Sequence, residues 1–153
     1  MTIDDKLSSM GLELPGPAAP KGAFIPAVQT GDLLYCSGTL ATINAESRYL
    51  GKLGRTVTVE EGYQSARDAC LVSLGNIRRE LGSLERVKRI VKLTVFVNAE
   101  GDFTDSPKVA NGASELLVEL FGDRGQHARS AIGVAALPGG HSVEVEMIVE
   151  VSA

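Results

Sequence analysis

A histidine and an arginine, His127 and Arg129, stand two residues apart at the entrance to the stretch HARSAIGVAALPGG, residues 127–140. In an extended backbone alternate side chains share a side, so the two project together. Arginine is a permanent cation whose planar fork grips a carboxylate through two parallel hydrogen bonds. Histidine can shuttle a proton near neutral pH or add a second contact to an anion. A plainer reading stands beside each: a surface arginine paired with a nearby carboxylate, and a hydrogen-bonded histidine that fixes a strand entrance. Asn111, in the run NGAS at 111–114, divides the same way, between an amide donor to a ligand and a surface amide.

The other reactive side chains offer less. Cys36 and Cys70 follow no metal-ligand spacing, and with only two histidines in the chain no metal site is expected. Both cysteines read as free, inert core thiols. Tyr35, Tyr49 and Tyr63 have no spacing that separates a site from packing. Arg78, Arg79, Arg86, Lys88 and Arg89 form a local basic cluster, read as a solvated face. The formal net charge of -4 disfavours a phosphate backbone as partner. The N-terminus lacks a basic start followed by an apolar run, and no stretch is long and apolar enough to span a bilayer, so a cytoplasmic setting without membrane contact is expected.

These residues must be held by a fold. At 153 residues, 44% of them hydrophobic, the chain can bury a core as one domain. Residues 3–10 suit one or two helical turns closed by Gly11. The following LPGPAAPKG is rich in proline and reads as extended, giving an N-terminal arm over 1–20 and a folded domain over 21–153. AFIPAVQT and DLLYCSG flank Thr30-Gly31-Asp32 as a hairpin. Thr58 and Glu61 form a capping box before apolar positions at helical spacing from Ala66 to Leu81, and Gly82 ends that helix. VKRIVKLTVFVN is a strand with Val87, Arg89, Val91, Leu93, Val95 and Val97 on one side. A second helix runs from about Ser106 to Leu120, and strands follow at 129–136 and 142–151. The order β-β-α-β-α-β-β describes an α+β domain with two helices on one face of a mixed sheet. Ile132 and Val134 suit the helix-packed side. Arg129, Ala131, Gly133 and Ala135 suit an open face, where small residues would admit a subunit or a ligand.

The run ARSAIGVAALPGGHSVEVEMIVEV resembles the signature of the RidA/YjgF family, also described as L-PSP endoribonuclease-like: Arg-Ser, a short apolar strand, Leu-Pro, a turn and a Val-Glu-Val-Glu strand. GDLLYCSG and VKLTVFVNAEGDF resemble family segments in the expected order, and the likeness covers roughly residues 22–153. It implies a chorismate-mutase-like fold, a homotrimer with clefts between subunits, and cofactor-free hydrolysis of enamines and imines such as 2-aminoacrylate to 2-oxo acids and ammonia. On this resemblance Arg129 holds the substrate carboxylate, Glu144 stands near the attacking water, and Ser37 and Gly38 line the cleft. The sequence departs from the family pattern at Phe24, where a tyrosine is common, at Ala131 in place of cysteine, and at His127 in place of proline. The segment from Asp102 to Arg129 is longer than usual. A divergent subgroup is implied, which leaves the substrate open, a larger acid or a non-standard imine being alternatives to the small 2-imino acids. A ribonuclease, and a trimeric binder of small carboxylates without catalysis, are the alternatives. The acidic balance and few aromatic residues weigh against the former.

Overall fold

The computed structural model describes residues 1–17 and 22–153. A five-stranded sheet runs in the order β1-β2-β7-β5-β6. Its strands are β1 (Ala27–Thr30), β2 (Leu33–Leu40), β5 (Val87–Asn98), β6 (Ala128–Val134) and β7 (Val143–Val151). β6 pairs with β5 in parallel, and the remaining pairs are antiparallel. Two long helices, α2 (Val59–Leu81) and α3 (Ser106–Phe121), pack against each other and cover one face. This is the α+β arrangement expected from the sequence; a short helix α1 (Ile3–Ser9) lies where helical turns were expected over residues 3–10, and a two-stranded hairpin, β3 (Thr42–Ile43) and β4 (Glu46–Ser47), is added.

Local chemistry explains the helix ends. The Thr58 hydroxyl accepts from the Glu61 backbone N–H while the Glu61 carboxylate accepts from the Thr58 N–H. Gly82 closes α2 in the left-handed region, where a side chain would be strained. Ala66, Ala69, Cys70, Leu74 and Ile77 lie fully buried beneath α2. Gly112 lets α3 approach α2 closely. A methyl group there would overlap the Tyr63 carbonyl of α2, so its absence sets the spacing of the two helices.

Three expectations are corrected. First, the small residues of β6 do not form an open face. Arg129, Ala131 and Gly133 pair with Leu93, Val95 and Val97, all three of which are fully buried under the helices. Ala131 packs against the core while Gly133 stays exposed at the sheet edge, and Ile132 is 45% exposed on the uncovered face. Second, β5 does not alternate throughout. Register irregularities between Val87 and Arg89 and between Ile90 and Lys92 turn Ile90 into the core and leave Arg89 and Val91 exposed. Third, the N-terminal segment is no detached arm. Ile3 and Leu7 enter the core, the Ile3 N–H donates to Glu85 at 2.5 Å, and Lys6 Nζ donates to the Leu120 carbonyl at 3.0 Å. Arg78 pairs with Asp4 at 3.1 Å, and Arg79 donates to the Pro15 carbonyl at 3.1 Å. Arg78 and Arg79 thus fasten chain segments, while Arg79, Lys88 and Arg89 stay exposed, as expected of a solvated face. Residues 18–20 of the expected arm, and Lys21, lie outside the described residues.

Candidate functional site

Asn111, Ser114, His127 and Arg129 meet where α3 crosses the entrance of β6. Asn111 and Ser114 are three residues apart and so share a face of α3. Arg129 Nη1 donates to Asn111 Oδ1 at 2.8 Å and to Ser114 Oγ at 3.1 Å. Ser114 Oγ lies 2.9 Å from His127 Nε2, and His127 Nδ1 lies 2.6 Å from the Gly125 carbonyl oxygen. All four side chains are half-buried. Burial pushes the His127 imidazole below its ordinary value; the hydrogen bond to Gly125 opposes this, and the Arg129 charge adds to it. The ring is thus neutral at pH 7.

Arg129 takes part in none of the ion pairs among the described residues. The plain reading of a surface arginine bound to a carboxylate is therefore set aside. Its partners inside the chain are neutral oxygens, and its charge is left to attract an anion. Beside this cluster a groove of about 390 Å³ is lined by Arg89, Ile90, Val91, Gln126, His127 and Ala128. It lies at the entrances of β5 and β6, just before their ladder begins at the Lys92–Ala128 pair.

The other expected site residues gather elsewhere. Ser37 and Gly38 occupy the irregularity in β2 between Cys36 and Thr39. Ser37 donates from its hydroxyl to the Ile25 carbonyl at 2.6 Å, next to Phe24, which is 55% exposed. Glu144 lies over Gly38 so closely that a methyl group there would stand 2.6 Å from Glu144 Oε1. Burial, and then the neighbouring Glu146 charge, raise the Glu144 carboxyl above its ordinary value, with His141 opposing.

One chain does not bring the two groups together. Glu144 aligns with Phe96 of β5 and so with Ile132 of β6, on the uncovered face; Arg129 aligns with Leu93, on the helix face. With β5 between them, the two backbones are roughly 10 Å apart across the sheet and about as far along it. Sequence reasoning did select Arg129, His127 and Asn111, which do cluster. It missed Ser114, the residue that joins them. The signal was the three-residue spacing of Asn111 and Ser114 in NGAS. Among the described residues, no group of three His, Cys, Asp or Glu side chains could hold a metal ion, and no helix is long and apolar enough to cross a membrane.

A mixed sheet of this order, with both long helices on one face, defines a chorismate-mutase-like α+β domain. The family model described as "YjgF/chorismate mutase-like, putative endoribonuclease" matches residues 4–150, so the chain belongs to the YjgF/RidA family. Protein TCP17 of Trypanosoma cruzi is 44% identical over 147 residues, covering 95% of this chain and 92% of that protein. A RutC family protein of Sinorhizobium fredii is 31% identical, covering 86% and 89%. The 2-iminobutanoate/2-iminopropanoate deaminase of Dermatophagoides farinae is 28% identical, covering 87% and 91%. A crystal structure from Shewanella oneidensis superposes with a TM-score of 0.95 at 33% identity, covering 99% of this chain and all (100%) of that one.

Proposed function

We propose that the protein hydrolyses small 2-imino acids, or their enamine tautomers, to 2-oxo acids and ammonia. The observation that carries this reading is the Arg129 guanidinium, half-buried and held by neutral oxygens alone. Such a group binds a carboxylate strongly and leaves the adjacent C=N carbon at a fixed place. The name borne by the mite relative supports the substrate class. Water adds to the C=N carbon and one of its protons passes to nitrogen, giving a tetrahedral carbinolamine; the remaining hydroxyl proton then passes to the same nitrogen, and the C–N bond breaks to release ammonia as the C=O bond forms. Glu144, with its raised affinity for a proton, orients the water and relays that proton. His127 assists proton movement beside Arg129. Ser37, Gly38 and Phe24 line the wall near Glu144, and Asn111 steadies Arg129. Water is the only co-reactant, so the step uses no cofactor.

Because Arg129 and Glu144 lie on opposite faces of one chain, the working site forms between copies, in a homotrimer. The exposed Val28, Tyr35 and Ile132 on the uncovered sheet face support burial against another copy. An amino-acid oxidase acting on 2-aminobutanoate supplies the imine. Added protein should speed release of 2-oxobutanoate and lower the fraction of imine trapped by semicarbazide. Binding of 2-oxobutanoate without turnover of any imine in a broad panel would leave a carboxylate binder, and cleavage of RNA alone would favour a ribonuclease. Light scattering that shows a stable monomer would remove the shared site.

A further inference from the structure

We infer that Ser114, set by His127, is a positioning residue that selects which edge of the Arg129 guanidinium meets the ligand. The inference rests on the reading of Arg129 as a carboxylate anchor and adds a residue that neither the family pattern nor the spacing around Arg129 marks out.

Hydrogen accounting fixes the arrangement. The Gly125 carbonyl can only accept, so His127 Nδ1 carries the ring proton across the 2.6 Å contact. In the neutral ring, Nε2 is then a lone pair. The single Ser114 hydroxyl proton is donated to it across 2.9 Å. With that proton committed, Ser114 Oγ faces Arg129 Nη1 as a pure acceptor at 3.1 Å. The second Nη1 proton goes to Asn111 Oδ1 at 2.8 Å. Both protons of Nη1 are thereby used inside the chain.

A guanidinium can meet a carboxylate end-on, through its two Nη groups, or side-on, through Nε and one Nη. With Nη1 filled, the two-bond contact that remains is the side-on edge of Nε and Nη2. Neither atom has a hydrogen-bond partner among the described residues, and neither is among the buried polar atoms left unpaired. The edge is therefore open to solvent and to a ligand. His127 also lines the groove at the β5 and β6 entrances, so the ring that holds Ser114 also borders the space beside the anchor. A ligand held side-on has its carboxylate plane set by the Arg129 plane, and hence the direction of its C=N bond is set by Ser114. His127 keeps Ser114 an acceptor. Without the imidazole lone pair, the hydroxyl can turn its proton toward Arg129 and lose the contact.

The test uses the full chain and two readouts. The first is the nitrogen-15 spectrum of the Arg129 side chain in free protein. Wild type should show separate, slowly exchanging Nη resonances, because rotation of Nη1 is arrested. Ser114→Ala should average them, and Ser114→Thr, which keeps the hydroxyl, should restore them. The second is affinity for 2-oxobutanoate. Ser114→Ala and His127→Phe should each weaken it roughly three- to ten-fold, the effect of one lost hydrogen bond. The double variant should be no worse than either single one, since both act through one contact. An unchanged Nη spectrum in Ser114→Ala, or losses in the two single variants that simply add, overturns the inference. If wild type binds no 2-oxobutanoate, the carboxylate reading of Arg129 fails, while the spectrum still decides whether Ser114 holds the guanidinium.

Discussion

Replacing Arg129 separates charge from geometry. Arg129→Lys keeps a cation at the entrance of β6, whereas Arg129→Ala removes it. In the native chain Nη1 serves two neutral acceptors, Asn111 Oδ1 and Ser114 Oγ. A side-on carboxylate takes two more donors, so the residue supplies four hydrogen bonds in one plane. An ammonium has three protons in a compact tetrahedral head and cannot supply four. Lysine must therefore abandon either the α3 contacts or half of the ligand. Loss of the internal pair costs about 1–3 kcal/mol of stability, at roughly 0.5–1.5 kcal/mol for each hydrogen bond. Loss of the two-bond grip costs on the order of 2–4 kcal/mol in the transition state, about thirty-fold to a thousand-fold in kcat/KM. Arg129→Lys is expected to be nearly as slow as Arg129→Ala. Imine disappearance and thermal melts, measured on the same samples, tell lost catalysis from lost folding. Full activity in Arg129→Ala, or in Arg129→Lys, would refute the reasoning.

Glu144→Gln should keep 2-oxobutanoate binding but slow imine hydrolysis, and Gly38→Ala, whose methyl group would displace the Glu144 carboxylate, should reproduce the slow rate with little change in melting temperature; a normal rate in both variants would remove Glu144 from the mechanism. His127 titrates below its ordinary value of 6.5 in the folded chain, so between the two values the unfolded chain binds more protons, and stability falls as pH drops from 6.5 through the folded value. Melting temperatures of wild type and His127→Asn between about pH 5 and 8 should diverge on acidification, and parallel curves would leave His127 uncoupled from stability. Cys36 and Cys70 are both buried, and burial pushes both thiols up to about 12; intact mass without reductant should show two free thiols, with alkylation slow until the chain is unfolded.

What the sequence revealed followed the range of the forces involved. The Thr58–Glu61 capping box and the Gly82 terminator act within a few residues, and α2 begins and ends where they direct. The same holds for Pro107 at the start of α3 and for the turn at Gly31. The face of β6 was misjudged because alternation tells which residues share a side, while the neighbour decides what that side meets. Small residues read as an empty face, yet the register sets Ala131 and Gly133 on the helix side, Ala131 against the core and Gly133 exposed at the edge. The β3–β4 hairpin escaped notice because its turn places Asn44 and Ala45, not Asn-Gly, at positive φ. Arg129, His127 and Asn111 were legible as polar groups in apolar surroundings. Ser114 was passed over, since its three-residue spacing from Asn111 places it on the same helix face but gains meaning only once Arg129 and His127 are known to lie across from it.

The neutral surroundings of Arg129 have a practical side. A charge facing only neutral oxygens draws mobile anions from solution. On the proposed carboxylate reading, binding at this site is an ion exchange, in which a carboxylate ligand displaces an anion drawn to the guanidinium. Acetate, formate or citrate in a purification buffer will act as competitors without resembling any imine. Affinities measured in them will report the difference between two anions, and will tighten as the protein is moved into a buffer whose counter-ion is bulky and weakly hydrogen-bonding.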